Sequence, residues 1–147
     1  MTGAIGIEEW ATQMIELMSP VKRRQLIRKI LHYSRQANSK RIRQQIGPDG
    51  KAWAPRKKRR RGRGKNKLLQ GFSKIKHLKI KATRDAGSLT FPGKEANRIA
   101  SIHHYGLVDQ VSRRGPKVEY PARELIGISK DDDKKIDDII ATHFGLS

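Results

Sequence analysis

Cysteine is absent from this chain of 147 residues. Neither a disulfide framework nor a thiolate metal site can be built, and the composition fits a reducing compartment. Aromatic residues make up 5% of the sequence, and none falls between positions 54 and 71. Stacking platforms for single-stranded nucleic acid are therefore not expected there. No apolar run approaches the roughly 18 residues of a membrane span, so no membrane partner is expected. The opening MTGAIGIEEW lacks the apolar length of a secretory signal, which predicts a soluble intracellular product. Acidic residues are scarce where bases are dense. Residues 17–84 hold 24 of the 33 lysines and arginines and a single acid, Asp49.

What remains is a basic chain, +19 overall, with 35% hydrophobic residues, enough for a thin core in one domain spanning 1–147. From Asp85 onward it is nearly neutral. A field so one-sided attracts a polyanion or an acidic protein face. Its densest part is APRKKRRRGRGKNK, residues 54–67, with Arg56, Lys57, Lys58, Arg59, Arg60, Arg61, Arg63, Lys65 and Lys67 and no acid. Nothing apolar follows Pro55 until Leu68, which predicts an exposed basic loop.

Helical spacing of Trp10, Met14, Leu17 and Met18 predicts a short helix over 8–18. Ser19 as cap and Pro20 in the first turn start a second. It runs to about Gln45, with Val21, Ile27, Ile30, Leu31, Ser34, Ala37, Ile42 and Ile46 as its buried stripe, and Gly47-Pro48 stop it. Trp53, just after the GPDG turn, is expected to pack on that helix. Alternation in KHLKIKA and the apolar SLTF predict a hairpin turning at RDAG. KEANRIASIHHYG predicts a helix with Ala96, Ile99, Ala100 and His103 inward, closed by Gly106. LVDQVSRRGPKVEYPA predicts a second hairpin, and ARELIG a short helix or strand. Ser129 and Asp132 have capping-box spacing ahead of a last helix with Ile136, Ile139, Ile140 and Phe144 inward. The order predicts an α+β fold: a small, mostly antiparallel sheet packed with a long N-terminal helix and a C-terminal helix, plus the long basic loop.

Catalytic patterns are not found. The run DDDKKIDD suits the positive N-terminus of a helix better than a metal cluster. His103 and His104 are adjacent, so on a helix they point about 100° apart and cannot chelate one metal as an i, i+4 pair would. No phosphate-binding glycine loop or nucleophile motif is present. No cofactor and no enzymatic activity are expected. A helix–turn–helix does not fit so long a second helix, which leaves sequence-independent attraction to phosphate.

Three stretches, MSPVKRRQLIRKI (18–30), QQIGPDGKAWAPRK (44–57) and RIASIHHYGLVDQVSRRGPKVEYPARELIGIS (98–129), occur in the order and spacing of a known family. Together they resemble the phage virion morphogenesis family, the tail completion proteins of contractile-tailed phages. The resemblance implies a structural protein made in the bacterial host and located in the virion at the tail–neck region. Such a protein finishes the head-proximal end of the tail and makes it competent to join a filled head. It also implies a homo-oligomer, with a six-fold ring around the DNA channel favoured, and contacts with tail tube, sheath or neck proteins. Trp53, Tyr105 and Tyr120 become candidate core or interface anchors. YPARELIG becomes a candidate subunit contact, with Arg123 offering an ion pair. Like-charge repulsion among +19 subunits favours the near-neutral C-terminal part, from about Asp85, for such a contact, with YPARELIG and the HHYGL region (103–107) expected to contribute. The basic loop is expected to dock on an acidic protein face, with DNA in the channel as the second reading. A small basic nucleic-acid-binding protein is the alternative function, and a metal-dependent nuclease a weaker one.

Overall fold

The structure is a computed structural model that describes residues 7–55, 68–110 and 113–145. The order of elements is α1 (Ile7–Glu16), α2 (Pro20–Gln44), two short 3₁₀ turns (Gln70–Ser73 and Ile75–His77), β1 (Lys79–Ala82), β2 (Gly87–Thr90), α3 (Lys94–Tyr105), β3 (Val108–Gln110), β4 (Lys117–Glu119) and α4 (Lys130–His143). The α+β class read from the sequence holds. The strands divide into two separate two-stranded antiparallel sheets, β1–β2 and β3–β4, and do not join in one. Their registers pair Ile80 with Leu89 and Asp109 with Val118.

α2 is the axis of the molecule, about 37 Å long at 1.5 Å per residue. Ser19 caps it, its hydroxyl accepting the Lys22 N–H, and Pro20 occupies the first turn. Val21, expected in the buried stripe, is 68% exposed, and burial begins with Leu26. Farther along, α2 meets the first 3₁₀ turn, both strands of the first hairpin, and α4. Gly87 opens β2 hard against α2: a Cβ there would lie 2.5 Å from Ile27 Cγ2 and 2.6 Å from Leu31 Cδ1. Arg23 reaches Asp85 in the hairpin turn at 3.3 Å.

The core gathers one or two residues from each segment: Ile42, Trp53, Leu78, Phe91, Ala100 and Leu125, with Leu69, Phe72, Leu89 and Ile126 packed against them. Phe72 and Phe91 meet edge to face at 4.8 Å. Trp53 shares this cluster with Ile42 of α2.

ARELIG is neither helix nor strand. Residues 120–129 are irregular, with a bend at Ile126 and no ladder, so other groups must satisfy their backbone. The Arg123 N–H donates to the His103 carbonyl at 2.7 Å, the Leu125 N–H to His104 Nδ1 at 3.1 Å, and the Gly127 N–H to Asn38 Oδ1 at 2.9 Å. This strap thereby crosses from the end of α3 to the last turns of α2. Gly106 makes the crossing possible. It closes α3 at φ +67°, and a Cβ would sit 2.8 Å from the Ala122 nitrogen.

Beyond the strap, Ser129 and Asp132 form the expected capping box of α4. Asp132 does more than cap. It is buried, and Arg41 meets its carboxylate at 2.8 Å while the Tyr33 hydroxyl donates to it at 3.0 Å. Arg41 also donates to Asn38 Oδ1 at 2.9 Å and to the Gly127 carbonyl at 3.0 Å. Burial pushes the Asp132 carboxyl up. The Ser129 N–H, the Tyr33 hydroxyl and the Arg41 guanidinium outweigh that and hold it below the usual carboxylate range.

Two predictions follow from this packing. Trp53→Ala should cost on the order of 3–5 kcal/mol, the usual range for deleting a buried aromatic ring; urea denaturation measures it. Asp132→Asn should cost about 3–5 kcal/mol near neutrality, because the Arg41 guanidinium, on a side chain 12% exposed, loses its counter-charge. Since the folded carboxyl is depressed, its contribution is full above the unfolded value of about 3.9 and is lost as pH falls through the folded value. The stability gap between wild type and Asp132→Asn should therefore narrow below about pH 4. A gap that stays constant down to pH 2 would show that the carboxylate charge is not what stabilises.

Candidate partner-binding site

The nine bases from Arg56 to Lys67 lie outside the described residues, but the two ends of that segment are well defined. Both are fastened to Gln45. This residue ends α2 in the left-handed region, φ 61°, where glycine is the usual occupant. Its carbonyl accepts the Trp53 N–H at 2.8 Å on the entry side. Its side-chain amide grips Leu68 on the exit side, donating to the Leu68 carbonyl at 2.9 Å and accepting the Leu68 N–H at 2.8 Å. A further bond at 2.7 Å to the Ile42 carbonyl keeps the amide in place.

Arg123 completes the entry. Its Nε donates to the Ala54 carbonyl at 2.9 Å and its Nη2 reaches the Pro55 carbonyl at 3.4 Å. The side chain is 4% exposed, and burial lowers its pKa from the ordinary arginine value. Arg123 was expected to offer an ion pair at a subunit contact. Its guanidinium instead faces backbone carbonyls inside the fold, so it is an internal tether of the basic segment.

Between these anchors lies a cavity of about 460 Å³, lined by Pro55, Leu68, Leu69, His103, Tyr120 and Arg123 among others. Tyr120 stacks edge-on against His103 at 4.8 Å. Burial, then the Arg123 charge, push the His103 imidazole below its ordinary pKa, against a smaller opposing pull from Asp109. Its buried Nδ1 has no hydrogen-bond partner among the described residues. No group of three or more histidine, aspartate or glutamate side chains there is placed to hold a metal.

The third feature is an apolar surface where α3 passes into β3. Tyr105 is 68% exposed, Val108 57% and Leu107 45%. Tyr105 was a candidate for core or interface, and the fold leaves it on the surface. Trp53 is the buried one of the pair. Arg98 stiffens this corner, bonding Glu95 at 2.7 Å and Asp109 at 3.0 Å, so that β3 is held to α3. Sequence reasoning named Trp53, Tyr105, Tyr120 and Arg123, and Leu107 within HHYGL, but missed Gln45 and Val108. A glutamine just before GPDG gave only a weak signal: a helix must end there, and its carbonyls need partners.

The anchor gives a direct prediction. Gln45→Ala leaves the Leu68 N–H and carbonyl without their partners. It should destabilise by about 1–3 kcal/mol and accelerate proteolysis within 56–67, read by limited trypsin digestion. Gln45→Gly should recover part of the stability through the left-handed backbone while leaving the rapid cleavage.

Among the described residues no helix is long and apolar enough to cross a membrane. No solved structure matches the chain. A curated protein does: "Tail completion protein S" of Escherichia phage P2 is 34% identical over 140 residues, covering 92% of this chain and 93% of that protein. Residues 4–145 match the phage virion morphogenesis family, and the chain belongs to that family.

Proposed function

We propose that this chain is a structural protein of phage tail morphogenesis that completes the head-proximal end of the tail and enables head–tail joining. The observation that carries the reading is similarity to the phage P2 tail completion protein over 92% of this chain and 93% of that protein. Three of the seven exposed large apolar side chains among the described residues, Tyr105, Leu107 and Val108, lie close together where α3 passes into β3. We assign that corner to a contact between copies, in an oligomer for which a six-fold ring around the DNA channel is the favoured form. Tail tube, sheath or neck proteins are its neighbours.

The basic segment is the second contact. Held at both ends by Gln45 and Arg123, it presents nine bases from one place on the fold. We assign it to an acidic face of another tail protein. DNA in the channel is the second reading, favoured by charge alone; nine simultaneous phosphate contacts would give a salt slope near about −8.

Infection with a phage lacking the protein should yield filled heads and separate tails, and supplying the protein should restore joined particles. Joined particles in its absence overturn the reading. Replacing Arg59, Arg60 and Arg61 by serine should change stability by less than about 0.5 kcal/mol while reducing incorporation into tails. Normal incorporation with abnormal DNA retention or ejection would favour the DNA reading.

A further inference from the structure

Arg123 is a buried charge without a counter-charge. It is 4% exposed, yet it enters none of the ion pairs among the described residues. A guanidinium has five N–H donors. Two are used, on the carbonyls of Ala54 and Pro55, and the other three have no protein partner among the described residues. Carbonyl dipoles orient the group but do not neutralise it, and a charge taken out of water is costly unless it is paired. The adjoining sequence does not supply the missing carboxylate, since Arg56 to Lys67 contains no acidic residue.

Arg123 lines the cavity of about 460 Å³ between the anchors, and so does His103, whose buried Nδ1 has no hydrogen-bond partner among the described residues. The two residues are neighbours: the Arg123 backbone N–H donates to the His103 carbonyl at 2.7 Å. Pro55, Leu68, Leu69, Val118 and Pro121 supply apolar walls. Pro55 and Pro121 are exposed, so the cavity opens to the surface. A volume of this size, with mostly apolar walls and a few convergent polar groups, suits a small ligand or an inserted side chain. Glu119 also lines the cavity and is exposed. It makes no ion pair with Arg123, so the guanidinium stays uncompensated.

We infer that this cavity receives a carboxylate side chain, aspartate or glutamate, from the acidic partner of the basic segment. The carboxylate oxygens accept from the unused N–H groups of Arg123 and from His103 with its proton on Nδ1. The apolar walls take the methylene stem. A duplex phosphate does not suit the cavity, because it stands between charged neighbours that apolar walls would strip of water. The division of labour is physical. Nine mobile-range bases attract an acidic face from a distance but accept any arrangement of charge, whereas one enclosed ion pair fixes where that face docks. The inference rests on the acidic-face reading proposed above and adds to it the group that is recognised and the place that recognises it.

The test uses the full chain and a single blocked glutamate, N-acetylglutamate methylamide, with the glutamine analogue as the uncharged control. In an NMR titration the Arg123 Nε–H and His103 ring resonances should move saturably with the glutamate probe and not with the glutamine one. Val118→Trp fills the cavity, and His103→Phe removes Nδ1 while keeping a ring against Tyr120. Neither change removes a bond that holds the Arg123 side chain, and circular dichroism should report nearly unchanged melting for both; if one does not fold, the other decides. Read at Arg123 Nε–H, each should weaken the glutamate probe about ten-fold or more, the loss of roughly one charge-assisted hydrogen bond. Phage carrying either variant should join fewer heads to tails. A glutamate probe that moves neither resonance overturns the inference. So does an equal response to the glutamine probe, tighter binding of inorganic phosphate than of glutamate, or normal joining by a folded variant that no longer binds the probe. Joined particles in phage that lack the protein altogether overturn the proposed function and this inference together; separate heads and tails in that phage, with any of the earlier failures, overturn the inference alone.

Discussion

The fold depends on the polar bonds made by the last turns of α2. Within eight residues, Asn38, Ser39, Arg41, Ile42 and Gln45 each reach a different part of the chain. Asn38 holds the strap at Gly127, Ser39 donates to the Ser73 carbonyl of the first 3₁₀ turn, and Arg41 holds Asp132 at the head of α4. Ile42 joins the apolar cluster, and Gln45 grips both ends of the basic segment. Only one of the five works through apolar burial. In a chain with a thin core, directional bonds take over part of what close packing does elsewhere. They carry a condition: each buried donor and acceptor must find its partner, or the site costs more than an apolar one would.

That condition explains the strap. An irregular segment without a ladder would normally lie on the surface, with water satisfying its backbone. Here His104 and Asn38 supply side-chain acceptors and His103 a main-chain one, and Leu125 can then enter the core. The histidine pair is therefore part of the architecture. Two adjacent imidazoles on a helix face different neighbours: His104 the strap, His103 the ring of Tyr120.

Legibility in the sequence followed the same division. Elements governed by local chemistry were readable: the Ser19-Pro20 start, the Ser129–Asp132 box, the hairpin around RDAG, the Gly106 stop. Trp53 stood out because a lone large ring beside a turn has few places to go. The hub of α2 was not readable, since asparagine, serine and arginine on a helix look like a solvated face until the partners are placed. Val21 was misread for a related reason. Periodicity assigns a face to a helix, but it does not say where along its length the body of the protein begins. Arg123 was expected, from the family resemblance, to offer an ion pair at a subunit contact; within the fold its partners are the carbonyls of Ala54 and Pro55, which the sequence carries but does not bring near.

The Gln45 clamp has a consequence for evolution and for engineering. Because one side chain and its own carbonyl hold the entry and the exit, what lies between them is a cassette whose length is uncoupled from the rest of the fold. Doubling such a closed loop costs only about 0.6 kcal/mol in closure entropy. A lineage can lengthen, shorten or recompose the stretch to suit a new neighbour without disturbing α2 or the core. An experimenter can place an epitope or a fluorescent reporter there, with Trp53 and Leu68 as the fixed points of the graft.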